Sequence, residues 1–411
     1  MGLSSFIANR IAFNQNRSFS KFIIRLSIAA TTISVAAMII TLAFANGFQQ
    51  KVSEKIFSFS GHIRVQYVTP FASLTSEEIA INADSSTMLK IKADPDVQTI
   101  HPYATRYAIL KTPEDLQGVL VKGIDKHFDF TRLEEFMVKG RFLSFNDSSY
   151  SRDIVISQKT ASELKLDVGD RVLIYFIRPD GSKRPDRLTV KGIFKTGISD
   201  FDNTFALGDL KLIRRLNGWE EDEIGGYEIF LKDYRKVDEV IQHLETLPDL
   251  PATWSVRNIK ELAPNIFDWL NMQNVTRNVL IGIMIIVAII NLITCLIILV
   301  LERMRMVGIL KAVGATDWMV QKIFLQHSTF IALTGILAGA AIGLGLLYAQ
   351  IKTGFIKLNE EAYYLHTAAV KISAWEVALI CFSTFIICFL VLMIPSYIVR
   401  KVQPVKAIHF R

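Results

Sequence analysis

Cysteine is scarce in this chain and badly placed for cross-linking. The three cysteines, Cys295, Cys381 and Cys388, all fall inside long apolar runs. The polar middle of the chain has none, which excludes a disulfide framework there. A segment of that length builds a core without staples, so an oxidising compartment stays open to it. A thiol in an apolar helix acts as a small hydrophobe. No GxxxxGK[ST] phosphate loop occurs, which excludes ATP hydrolysis by that route in this chain. There is no HExxH. The seven histidines, His62, His101, His127, His243, His327, His366 and His409, are scattered without metal-ligand spacing. No GxSxG nucleophile elbow is present. The pairs Glu77-Glu78 and Glu134-Glu135 read as solvated surface. The apolar runs carry none of the embedded charges that an ion-coupled transporter uses. The expectation is therefore a non-catalytic chain with no metal or cofactor of its own and no nucleic-acid partner. Any work it does draws energy from a partner.

What is present is a mixture. The chain has 411 residues, is 51% hydrophobic and carries a net charge of +7. Its mean hydropathy of +0.32 lies between that of a soluble protein and that of an all-membrane one. The composition predicts a few membrane spans plus a sizeable polar domain. Residues 1–25 hold Arg10, Arg17, Lys21 and Arg25 without an acid. Phe6, Ile7, Ile11 and Phe13 there suit a short amphipathic helix on a membrane surface. Residues 26–50 carry no charge at all, long enough for a first span. A cleaved signal peptide is the rival reading, with Ala43-Phe44-Ala45 as its cleavage site. The helix-like register through Phe48, Val52, Ile56 and Phe59 favours a retained span continued as a stalk.

Residues 51–277 have ordinary soluble composition. Strands are predicted at 62–67, 107–110, 118–124, 153–157, 171–177, 188–194, 204–206 and 226–231. Helices are predicted at 86–93, 159–164, 209–216 and 234–246. The mixture predicts an α+β domain. Leu262, Ile266, Trp269 and Leu270, at helical spacing, lead back to the membrane as a second stalk. Further spans are predicted at 278–301, 323–351 and 377–399. The connections are a 302–322 loop, a 352–376 loop and a 400–411 tail. Both termini and the 302–322 loop are basic, which puts them in the cytoplasm and the large domain outside. The fold class is an α-helical membrane protein with four transmembrane helices and a large α+β domain between the first and second.

Inside the spans, Gly335, Gly339 and Gly343 form a small-residue stripe for close helix packing, and Asn291 is a mid-span polar side chain suited to bonding a neighbouring helix. Pro395 is placed to bend the last helix. Residues 301–324 are a charged amphipathic stretch trapped between two spans. Met306, Leu310 and Val313 fall on one helical stripe, with Val307 and Ile309 at its borders. Gly314 stops that helix, and Thr316 or Asp317 caps the next. The stretch reads either as an interfacial linker or as an apolar knob fitted to a groove in another protein.

The run ERMRMVGILKAVGA, at 302–315, resembles the cytoplasmic loop of the FtsX/MacB-type ABC permease superfamily. Gly47-Phe48 followed by KIFSFSGHIRV, NEEAYY at 359–364 with Val370 after it, and the Pro404-x-x-Ala407 ending resemble the LolC/LolE branch of lipoprotein-releasing permeases. The resemblance implies a type VII permease with its large domain in the periplasm. It implies a mechanotransmission complex in the inner membrane with a LolD-like ATPase that holds ATP and Mg, and with a second permease copy or paralogue. Lipoprotein would be extracted from the outer leaflet and handed to a LolA-like periplasmic carrier. A MacB-like exporter permease and an FtsX-like signalling protein that controls a cell-wall hydrolase are the rival functions. MacB itself carries an N-terminal ATPase for which about two dozen residues leave no room, and FtsX relatives have a smaller external domain.

By position, the resemblance makes Met306, Val307, Ile309, Leu310, Lys311, Ala312, Val313, Gly314 and Ala315 the ATPase contact, on a coupling helix. Phe44, Phe48, Ile56, Phe59, Ile266, Leu270 and Met272 become the lipoprotein path, with packing of one stalk on the other as the alternative. Arg178, Pro179, Lys183 and Arg184 sit where one branch of the family presents a hook to the carrier. Here that loop reads RPDGSKRPDR, without an apolar tip, which also fits a simple hairpin turn. Tyr363 and Tyr364 suit the outer membrane interface.

Overall fold

The computed structural model describes residues 18–396, apart from 71, 147–148, 178–182 and 249. The expected amphipathic start at 1–17, the 400–411 tail with its Pro404 and Ala407, and loop residues Arg178 and Pro179 lie outside the described residues. The strands are β1 (Ile63–Tyr67), β2 (Ile81–Asn82), β3 (Val97–Lys111), β4 (Leu116–Ile124), β5 (Met137–Gly140) and β6 (Asp153–Ser157). They continue with β7 (Arg171–Ile177), β8 (Lys183–Phe194), β9 (Phe205–Asp209), β10 (Glu223–Ile224), β11 (Gly226–Leu231) and β12 (Trp254–Asn258). The helices are α1 (Ser18–Ser60), α2 (Ser85–Ala93), α3 (Gln158–Leu164), α4 (Ser199–Thr204), α5 (Leu210–Asn217) and α6 (Val237–Glu245). After them come α7 (Ile259–Leu262), α8 (Pro264–Glu302), α9 (Met304–Ala312), α10 (Asp317–Thr353), α11 (Glu360–Tyr363) and α12 (Ala374–Ser396).

Two compact units divide the chain. One takes Gln50–Trp269 and Leu358–His366; the other takes Leu270–Lys357 with the chain up to Gln49 and from Thr367. The first unit is built on a sheet ordered β12-β1-β11-β3-β4-β9-β6-β8-β5, with β7 bridging β3 and β8. Pairing therefore closes on itself through β3, β4, β9, β6, β8 and β7, while β12, β1 and β11 extend as an antiparallel flank. The 15-residue β3 serves both parts: its first half pairs with β11 and its last four residues with β7. Parallel pairs β4–β9 and β6–β8 mark the crossovers. The last six residues of β4 are all buried, as a strand covered on both faces requires, whereas β12 alternates as an edge strand does.

Strands predicted at 153–157, 171–177 and 226–231 match their observed bounds. The 107–110 prediction caught only the end of β3. Its first ten residues, VQTIHPYATR, mix polar residues with Pro102, and tertiary pairing overrides that weak local preference. The strand at 254–258, whose alternation covers only five residues, and the helix at 199–204 were not predicted.

In the second unit lie the apolar parts of α1, α8, α10 and α12, which among the described residues are long and apolar enough to cross a membrane. A Cβ added at Gly335 would lie 2.7 Å from Cβ of Thr31, and one at Gly339 2.7 Å from the Thr32 carbonyl oxygen. At Gly343 the nearest atom, Cα of Ala36, is 3.3 Å away. The glycine stripe is thus the surface on which α10 meets α1 backbone to backbone. Thr32 Oγ1 donates to the Gly335 carbonyl at 3.3 Å, and Asn291 Nδ2 donates to the Ser27 carbonyl at 3.1 Å, which ties α8 to α1. Arg277 Nη1 donates to Asn46 Oδ1 and Asn46 Nδ2 to Glu376 Oε2, both at 2.8 Å, linking α8, α1 and α12. Beside Asn46, Gly47 sits so close to the 367–371 segment that a Cβ would lie 2.5 Å from the Ala369 carbonyl oxygen.

Candidate functional site

The stretch between the second and third apolar helices folds as α9. Val307 is fully buried, in a cluster with Leu296, Leu299, Val300 and Phe324, and Met306 packs on that cluster. Leu310 and Lys311 are half-buried. Ile309 is 55% exposed and Val313 84% exposed, with Arg305 and Ala312 exposed beside them. Steps of three and four residues put these side chains on one outward face. Of the residues expected to make an outward contact, the structure turns Ile309, Ala312 and Val313 outward and Val307 inward. Met306 and Val307 hold the helix to its own unit, and Ile309, Ala312 and Val313 face away. Gly314, at φ +98°, ends the turn in a conformation that L side chains rarely adopt. Thr316 Oγ1 then accepts from the Met319 N–H at 3.3 Å as the cap of α10, and Lys311 Nζ pairs with Asp317 Oδ1 at 2.9 Å across the turn. Ala315 closes the loop through its N–H, which donates to the Leu310 carbonyl at 2.9 Å.

The residues expected along a lipid path divide. Ile56, Phe59, Ile266 and Leu270 are buried, so in this structure they pack rather than line an open route. Phe59 belongs to an aromatic cluster with Phe194, Phe201 and Phe205, at centroid distances of 5.9, 5.2 and 5.2 Å. Two residues earlier, the Phe57 ring stacks on Phe267 of α8 at 5.9 Å. Phe44 and Phe48 are half-buried, and Met272 is 58% exposed. Of the basic loop, Lys183 and Arg184 start β8 and pair in register with Ile177 and Phe176, which makes this region a β-hairpin.

A sealed ionic network anchors the end of α1 to the sheet. Glu228 Oε1 accepts from Arg64 Nη2 at 2.8 Å and its Oε2 from Lys122 Nζ at 2.7 Å, with all three side chains at most 1% exposed. Lys122 also donates to the Phe59 carbonyl, in the last turn of α1, where helix carbonyls lack partners. Burial pushes the Lys122 ammonium down from the ordinary lysine range, and Glu228 opposes that shift. His62 lies nearby in sequence, buried; its Nδ1 accepts from the Leu231 N–H at 3.0 Å. Burial, helped by Arg132, lowers His62 to about 4.

The sheet unit also includes Leu358–His366, the outer part of the connection between α10 and α12. Glu360 Oε2 accepts from Lys195 Nζ, and His366 Nε2 lies 2.7 Å from the same oxygen. Lys55 Nζ, on α1, donates to the Tyr364 carbonyl at 2.8 Å and to the Thr196 carbonyl at 2.6 Å. The Tyr364 ring meets Trp269 of α8 edge-on at 5.4 Å. In sequence, the tyrosines of NEEAYY suit a membrane interface and carry no sign of these contacts. The basic partners, 165 and 309 positions away in sequence, left no local signal.

Residues 26–247 match the MacB-like periplasmic core domain, and residues 278–404 match the FtsX-like permease C-terminal region. The chain is 24% identical to the lipoprotein-releasing system transmembrane protein LolC of Neisseria meningitidis serogroup B over 417 residues, covering 96% of each. It is 23% identical to LolC of Haemophilus influenzae over 407 residues, 95% of this chain and 94% of that one. It is 20% identical to LolE of the same organism over 414 residues, 96% of each. With both domain matches in one chain, the first over more than half of its residues, the chain belongs to the family of FtsX-like permeases that carry a MacB-like periplasmic core domain.

Proposed function

We propose that this chain is a permease subunit of a lipoprotein-releasing ABC transporter in the bacterial inner membrane. The observation that carries the reading is the end-to-end match to relatives named for lipoprotein release, over 96% of both chains in the Neisseria case. That span includes the sheet unit, the four apolar helices and the loop between the second and third of them. The chain itself is the non-catalytic membrane subunit. A separate ATPase subunit holds ATP and Mg and docks on the outward face of α9, through Ile309, Ala312 and Val313. A second permease, a copy or a paralogue, completes the complex, and lipoprotein passes from the outer leaflet to a periplasmic carrier.

The exposure pattern sharpens the lipid path. Met272, Val275, Val279, Ile283, Ile286 and Ile290 are all exposed and recur along α8 at steps of three or four. This row, rather than the packed Ile56, Phe59, Ile266 and Leu270, is the apolar surface that acyl chains and the facing permease share. Each methylene buried there contributes about 0.8 kcal/mol.

The reading is tested by depleting the protein and fractionating the envelope. Accumulation of mature lipoproteins in the inner membrane is expected. Normal delivery to the outer membrane in depleted cells would contradict it.

A further inference from the structure

Two ionic networks lie inside the sheet unit, and they differ in kind. The Arg64–Glu228–Lys122 network is sealed, so removing one partner strands a buried charge; it is a permanent anchor. The network around Glu360 is half-solvated. Lys195 is 35% exposed and His366 71%, and the joint borders a cleft of 600 Å³ lined in part by Lys159, Lys195, Asp202 and Glu360. Glu360 itself is 13% exposed, but both cations keep contact with water, so the contact parts at lower cost than the sealed network. Its backbone is held off its resting preference as well. Tyr364 sits at φ +57°, uncommon for a bulky residue, and is kept there by Lys55 on its carbonyl and Trp269 on its ring. The same short segment thus touches α1 through Lys55, α8 through Trp269 and the sheet through Lys195. In sequence it links α10, which follows the coupling loop, to α12.

We propose that Leu358–His366 is a releasable clasp on the bases of both stalks, with Glu360 as its positioning residue, and that it opens and closes in each ATP cycle. The closed clasp fixes Lys55 and Trp269 against one segment. Opening releases Lys55 of α1 and Trp269 of α8 from the segment, while Lys122 keeps the last turn of α1 on the sheet. This inference rests on the transporter reading for its energy source.

The test uses the full complex with its ATPase, in a background where Cys295, Cys381 and Cys388 are replaced by alanine. Lys195→Cys and Glu360→Cys are bridged with a short, reducible bismaleimide. The yield of the bridge is expected to change about twofold or more between nucleotide-free and ATP–vanadate-trapped complexes. An unchanged yield would overturn the clasp. Bridging is expected to lower ATP-dependent lipoprotein release about tenfold, with recovery on reduction. Bridged complexes that release at the unbridged rate would also overturn it. The bridge yield reads the clasp without cargo, whereas failure of the complex with native Lys195 and Glu360 to release lipoprotein would count against the transporter reading alone. Glu360→Gln, which weakens the joint without a reagent, is expected to assemble and hydrolyse ATP while releasing less lipoprotein per ATP. Loss of assembly in that variant would assign Glu360 to folding and overturn its role in the cycle.

Discussion

His62 is 8% exposed, and its Nδ1 accepts a backbone N–H, so the neutral ring carries its proton on Nε2. Protonating Nδ1 would aim a second N–H at the one from Leu231. Its folded value of about 4 lies below the unfolded 6.5, so between those values the unfolded chain binds a proton that the folded chain refuses. Stability from this residue is therefore complete above the unfolded value and declines as pH falls toward 4, by about 3 kcal/mol in all. His62→Asn keeps an acceptor near the Nδ1 position and removes the titration. Thermal unfolding of the full chain in detergent, compared for the two forms, is expected to show a gap that narrows from pH 7 to pH 4.5; a constant gap would contradict the argument. Little of this was legible in the sequence. Arg64, Lys122 and Glu228 each stand as a polar residue in a strand, and His62 just before one, which marks either a solvent-facing side chain or a buried partner. Only the register, with Arg64 opposite Glu228 and β3 between β11 and β4, decides between them.

The segment between the second and third apolar helices shows the same limit at the scale of one element. Helical periodicity located α9, and the glycine at its end marked the stop. Periodicity alone does not say which of two apolar edges faces the protein. Val307 and Met306 pack against α8 and α10, a choice made by tertiary contacts, and this leaves Ile309 and Val313 outside. Ile309→Asp and Val313→Asp therefore leave the fold of the unit intact, since both positions are solvated in the free chain. Each would bury a carboxylate on docking, at a cost of several kcal/mol. Co-purification of the ATPase is expected to fall about tenfold or more in each variant. Retention of the ATPase by both would remove α9 from the docking role. Val307→Asp is expected to act differently, by unfolding the helix from its own unit.

The architecture of the whole molecule was the most legible part. Four uncharged runs, basic termini and a polar domain between the first two runs determine the layout, because the bilayer imposes length and charge rules that read directly from composition. What composition does not carry is the way the parts are joined. The clasp pairs Glu360 with Lys195 and Tyr364 with Lys55, contacts 165 and 309 residues apart in sequence. The buried anchor spans 106 residues from Lys122 to Glu228. Such pairings follow from sheet topology, with its parallel crossovers, and leave no local trace. The account's central claim is that this chain converts a partner's ATP hydrolysis into lipoprotein release. Its most direct test is reconstitution of the purified permease–ATPase complex in proteoliposomes carrying a triacylated lipoprotein, with the periplasmic carrier supplied outside. The predicted result is ATP-dependent transfer of lipoprotein to the soluble carrier fraction, abolished when Val313→Asp removes the ATPase. Robust ATP hydrolysis with no transfer above the ATP-free control would contradict the account.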